Sequence, residues 1–72
     1  MNIYEVFFEC LHCGKEIVWE YRTERQPLTP ADLRPVLPSI ELWCESSACR
    51  WRGWADELRM IRIVLVRWME KS

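Results

Sequence analysis

Apolar and polar residues alternate over residues 3 to 10, with Tyr4, Val6 and Phe8 on one side and Ile3, Glu5, Phe7 and Glu9 on the other, which predicts a strand. Residues 16 to 22 repeat the pattern, setting Ile17, Trp19 and Tyr21 against Glu16, Val18, Glu20 and Arg22. The two runs read as a hairpin whose tip is "CLHCGK". All four prolines fall between Thr23 and Pro38, and because proline lacks the amide an interior strand needs, this segment is a connecting loop. Within it, Thr29 as a cap, Pro30 at the first position and Asp32 just behind predict a single helical turn that Pro35 ends. "SIELWC" then alternates as another strand, and "RWRGW" is the strand after it.

The tail "ADELRMIRIVLVRWMEKS" fits two patterns. As a helix over residues 55 to 70, Leu58, Ile61, Leu65, Trp68 and Met69 make one stripe, with Asp56 and Glu57 at the start and Lys71 at the end complementing the helix dipole. The β-branched run in "IRIVLV" favours a strand instead. The charge placement at both ends decides for a helix. Met60, Ile63 and Val66 then form an apolar back face, more than a solvated helix needs, so a partner covers it, with a homodimer through this helix as one form.

The chain has 72 residues and 8.8 kDa, a size at which a hydrophobic core rarely contributes more than ~3 to 5 kcal/mol without a disulfide set, a metal or a partner subunit. Four cysteines are available for such a staple. The opening "MNIYEVFFEC" has no basic start or cleavage site of a signal peptide, and no segment approaches the ~20 apolar residues of a membrane helix. The expected setting is therefore the cytoplasm, where paired cysteines more often hold metal than form disulfides.

Cys10 and Cys13 stand as Cys-x2-Cys and, after 30 intervening residues, Cys44 and Cys49 as Cys-x4-Cys. Four thiolates in two short-range pairs suit one tetrahedral, structural Zn2+ per chain. Gly14 lets the chain turn away behind the first pair. Two disulfides would require export, and a thioredoxin-type pair belongs at a helix start, whereas "KEIVWEYR" reads as a strand. Iron suits the same four sulfurs, so zinc is the first assignment and iron stays open. His12 reads as an exposed loop residue beside a ligand set that four cysteines already complete. The zinc free energy would be folding free energy, giving an unfolded or molten apo chain.

Residues 1 to 48 carry four bases and eight acids, a net of −4, and residues 49 to 72 carry six bases and three acids, a net of +3. The formal total is −1; four thiolates with one zinc take it to about −3. Any nucleic-acid face is therefore local. Its candidates are Arg50, Arg52, Arg59, Arg62 and Arg67, which read equally well as charges offsetting the zinc cluster or as a solvated helix face. Five tryptophans are many for this length. Trp19 and Trp43 are assigned to the core, and at least one of Trp51 and Trp54 is exposed if "RWRGW" alternates, where an arginine beside a tryptophan makes a contact site. No nucleophile with its base, paired carboxylates or open metal position is apparent, so an enzyme is not expected.

Two hairpin-like units that close on one metal resemble the zinc ribbon family over most of residues 3 to 54. The fold expected is a small α+β domain, residues 1 to 72, with the Pro-rich loop at 23 to 38 and the helix at 55 to 70. The cysteine spacing, the short length and a helix behind Cys49 further resemble the Ogr/Delta family of phage late-transcription activators, although the 30-residue gap is longer than in that family. That resemblance implies an accessory or regulatory transcription factor touching DNA or RNA polymerase. The rival expectation is a protein-protein adaptor without nucleic-acid contact, and neither involves a membrane.

Overall fold

The computed structural model describes the backbone of residues 1–68 and the side chains through Val66. The first strand, β1 (Asn2–Glu9), pairs antiparallel with β2 (Glu16–Thr23), from Asn2 opposite Thr23 to Glu9 opposite Glu16. The predicted alternation holds from Tyr4 onward, whereas Ile3, expected on the outer side, is buried as well. Tyr4, Val6 and Phe8 are buried, as is Ile17 facing Phe8, with Trp19 and Tyr21 packed at the edge of the same cluster.

The Pro-rich loop folds back over that apolar face. Tyr4 Oη donates to the Arg25 carbonyl at 3.0 Å and Asn2 Nδ2 to the same oxygen at 3.3 Å, which ties the loop's entry to β1. The one-turn helix α1 (Pro30–Leu33) follows Thr29 as expected. Asp32 Oδ2 accepts from the Thr29 amide at 2.9 Å and from the Thr29 hydroxyl at 2.8 Å, while Arg25 reaches Oδ1 at 2.9 Å. The Thr29 amide and hydroxyl, with Arg25 beside them, hold the Asp32 carboxyl below its ordinary value. Leu28 and Leu33 close over the sheet, and a 3₁₀ turn at Leu37–Ser39 leads into the second hairpin.

That hairpin consists of β3 (Glu41–Trp43) and β4 (Arg52–Trp54), antiparallel with Leu42 opposite Gly53. Leu42 and Cys44 point inward, so Trp43 between them points out. Trp43 is 56% exposed, which corrects its assignment to the core. Gly53 is a close-packing site: a β-carbon there would lie 2.7 Å from the Trp51 ring and 2.5 Å from the Glu57 carboxylate. Trp51 packs against the core, while Trp54 is 49% exposed.

The expected C-terminal helix is replaced by a 3₁₀ turn at Ala55–Glu57 and a ten-residue strand, β5 (Arg59–Trp68), on the far side of β1. The sheet order is β2-β1-β5. The register explains why the strand alternation was hidden. Phe8 faces Met60, Val6 faces Ile63 and Tyr4 faces Leu65, with irregularities between Phe7 and Phe8 and between Ile3 and Tyr4. Ile61 and Val66 are thus the extra residues of two bulges. Each bulge interrupts the period of two, so the core-side positions run 60, 63, 65 and the alternation that marks a strand is lost, while the expected helical stripe joined a bulge residue, Ile61, to a core-side one, Leu65. The β-branched residues were the better guide. Met69 and Lys71, both used for the helix assignment, lie outside the described residues.

Phe8 and Leu33 are both fully buried. Phe8→Ala is expected to cost about 3–5 kcal/mol and Leu33→Ala about 2–5 kcal/mol in the metal-loaded protein, measured by guanidinium unfolding. A loss below about 1 kcal/mol for both would be incompatible with a core centred on them.

Candidate metal centre

The tips of the two hairpins meet. Cys10 and Cys13 follow β1, and Cys44 and Cys49 lie between β3 and β4, so each pair sits where a strand ends and the chain reverses. The reversals are built alike. The Cys10 amide donates to the Lys15 carbonyl at 2.9 Å and the Gly14 amide to the Cys10 carbonyl at 2.8 Å; in the second turn, the Cys44 amide donates to the Trp51 carbonyl at 2.8 Å and the Arg50 amide to the Ser46 carbonyl at 3.1 Å. Directly behind the second cysteine of each pair the backbone is left-handed, with φ of 78° at Gly14 and 53° at Arg50. Glycine reaches that region freely and arginine does not.

The four sulfurs lie within 4.8 Å of one another. Cys10 Sγ is 3.5 Å from Cys49 Sγ, and Cys13 Sγ is 3.5 Å from Cys44 Sγ. A disulfide would bring two sulfurs to ~2.05 Å, and all four are free thiols. A tetrahedral metal about 2.3 Å from each sulfur sets the sulfurs ~3.8 Å apart, so this arrangement needs only a small contraction or expansion to accept one. Cys10 and Cys44 are buried, Cys49 half-buried and Cys13 exposed.

The proton equilibria follow from the same packing. Burial pushes the Cys10 thiol up, but the His12 and Cys13 amides and the Cys49 and Cys13 sulfurs outweigh it, and the group settles at about 7 in place of 9.0. The Trp51 amide pulls Cys49 down, yet burial and the three neighbouring sulfurs overcome it and push the thiol up to about 12. Cys44 is likewise raised, the Ser46 amide being outweighed by burial with Cys13 and Cys10. One thiolate is thus readily formed and further negative charge is resisted. A bound dication reverses that resistance.

His12 is exposed and outside the ligand set; its ring centroid lies 6.3 Å from that of Trp51, joining one turn to the other. Trp51, expected as a contact residue, is half-buried and packs against the core. Arg59, Arg62 and Arg67 stand opposite Glu9, Phe7 and Ile3, on the side of β5 away from Val6 and Phe8, while Arg50 and Arg52 belong to the second hairpin. Arg52 makes a two-pronged pair with Glu41 at 3.0 and 3.1 Å, and Arg62 binds Glu16 at 3.0 Å while its guanidinium lies 4.1 Å from the Phe7 ring centre. Arg59 stands opposite Glu9, and Arg50 is exposed at the second turn; neither makes an ion pair among the described residues. Arg67 is opposite Ile3 in the register, and its side chain lies outside the described residues. The sheet face bearing Arg59 and Arg62 also presents Glu5, Glu9, Glu16 and Glu20, so it is mixed in sign.

No model of a known protein family, no curated protein and no solved structure matches this chain. The four cysteines clustered at metal-binding distance on antiparallel hairpins are compatible with a zinc-binding domain. No match supports the zinc ribbon or the Ogr/Delta family specifically. No helix among the described residues is long and apolar enough to cross a membrane.

Sequence reasoning missed Arg50 as a backbone position. Its place directly after a ligand cysteine, matching Gly14, was the available signal. A β-carbon at Gly14 would meet nothing within 4 Å, so Gly14→Ala is expected to lose about 1–2 kcal/mol from conformation alone. Arg50→Gly is expected to keep or raise stability, by up to about 1 kcal/mol, since relief of the left-handed arginine opposes the greater entropy of an unfolded glycine. Thermal unfolding of the two metal-loaded variants beside the parent checks both; a marked fall for Arg50→Gly would contradict the matched-turn assignment.

Proposed function

We propose that this chain is a zinc-clamped, non-catalytic recognition module of zinc-ribbon type, acting in the cytoplasm by binding protein through β5. The observation that carries this reading is the exposure of Ile61, Val64, Leu65 and Val66, between 39% and 53%, on one edge strand. An edge strand offers unpaired backbone groups, and an apolar one is a template for another chain. Zinc is the assignment for the centre because four thiolates with no free position suit a structural, redox-silent ion.

A second copy of this chain is the first occupant to test. If β5 pairs antiparallel with its own copy about Val64, Arg62 falls opposite Val66 and Arg67 opposite Ile61, so neither arginine opposes an arginine. The bulges bracket the straight segment Arg62–Leu65, which limits such pairing to a short central ladder. This replaces the homodimer expected through a helix.

The transcription reading, with DNA or RNA polymerase as partner, draws on the exposed Trp54 and on Arg50 and Arg59, which make no ion pair among the described residues. It is the weaker reading because Arg52 and Arg62 are already engaged by carboxylates. Salt separates the two, since phosphate contacts weaken steeply with ionic strength and an apolar interface hardly responds.

Native mass spectrometry is expected to give one zinc per chain, colourless, with folded charge states lost on chelation; a visible thiolate-to-iron absorption would reassign the metal. In sedimentation velocity, self-association that Val66→Arg abolishes at any salt concentration is the expected result. A steeply salt-dependent affinity for duplex DNA that falls in the Arg59→Ala, Arg62→Ala double variant would overturn the protein-recognition reading.

A further inference from the structure

The edge of the sheet opposite β5 carries a different feature. The outer side of β2 has no strand partner among the described residues, and β3 of the second hairpin runs near it, leaving an open cleft of about 310 Å³ between Glu16–Glu20 on one side and Glu41–Trp43 with Glu45 on the other. Its floor is apolar, because Ile17 and Leu42 face it from the core. Val18 and Trp43 rise from it at 49% and 56% exposure. Glu16, Glu20, Glu41 and Glu45 complete the lining, which includes no basic residue.

We infer that this cleft is a docking site for an extended, arginine- or lysine-bearing segment of a partner protein. Charge complementarity names the occupant. Three of the four carboxylates have arginine partners that lie outside the lining: Arg62 for Glu16, Arg22 for Glu20 and Arg52 for Glu41. These pairs are exposed, of a kind that contributes little and exchanges readily. Glu45 has no ion pair among the described residues and adjoins Cys44, so a divalent ion held by the four thiolates, a centre of net charge −2, would deepen the negative field at that end of the cleft.

Geometry suits an extended strand more than a compact cation. The free β2 edge offers backbone groups along five consecutive residues, and a peptide laid there directs alternate side chains into the cleft. A guanidinium or ammonium entering between the carboxylates would rest its alkyl stem on Trp43 and its charge over the indole face. The cleft is a separate surface from β5, so it extends the protein-recognition reading without sharing its contact residues, and either can fail alone.

The test is titration of the zinc-loaded full chain with a capped hexapeptide alternating valine and arginine, followed by calorimetry and by amide shift mapping, with the glutamate-for-arginine peptide as control. Saturable binding is expected, with shifts confined to residues 16–20 and 41–45. Trp43→Ala is expected to weaken it about five- to tenfold, and the Glu20→Gln, Glu45→Gln double variant by at least about tenfold. The outward-pointing Glu24→Gln, Asp56→Asn double variant should bind within about twofold of the parent, and Val66→Arg likewise. Zinc stoichiometry of one per chain in each variant confirms that it is folded. No binding up to millimolar peptide, equal binding of the glutamate peptide, shifts centred elsewhere, or equal weakening by the Glu24 and Asp56 control would each overturn the proposal.

Discussion

Four sulfur atoms within 4.8 Å of one another are the constraint on which the rest of this structure depends. As thiolates they repel, and as thiols they offer only weak hydrogen bonds, so a cation is what makes their convergence favourable. The elements around them are short. Helix α1 has four residues, and β3 and β4 have three each. None would persist alone, since a nucleated helix needs more turns and an isolated hairpin is marginal. Joining the two hairpin tips at one ion would give these fragments a common origin, from which Leu33, Leu42 and Ala55 can be laid against Val6 and Phe8.

A bound cation would also organise the electrostatics. Amides of His12, Cys13, Ser46 and Trp51 point at the sulfurs, the outer-shell arrangement that orients thiolate ligands. Those amides lie within the turns that Gly14 and Arg50 permit by taking positive φ. Metal ligation by Cys49 would help hold Arg50 in the left-handed region that arginine otherwise avoids.

Most of the scaffold was legible because its signals were local. Alternation from Ile3 to Cys10 and from Glu16 to Arg22 gave the first hairpin, cysteine spacing gave the centre, and Thr29, Pro30 and Asp32 gave the single helical turn. The strand after Leu58 was hidden because its two bulges are a property of its pairing with β1, which no local pattern encodes. Trp43 was misplaced by size alone: its neighbours Leu42 and Cys44 take the inward positions, and the period of two leaves the larger ring outside. The arginines behaved in the same way. Whether Arg52 and Arg62 are available depends on Glu41 and Glu16, which lie 11 and 46 residues away in the chain.

The pairing of β1 with β5 has a consequence for the order of assembly. Glu9 and Arg59 are neighbours in the sheet but 50 residues apart in sequence, and contacts of that separation slow folding. Once the metal joins Cys10 to Cys49, the path between the two strands shortens to about a fifth, which lowers the loop-closure entropy by about 1.4 kcal/mol. Closure would then start at Glu9 and Arg59, beside the ion, and proceed towards Asn2 and Trp68, the pair at the other end of the register. In this protein the ion would act as a primer for a zipper, and the strand most remote in sequence would join as a short, local hairpin arm.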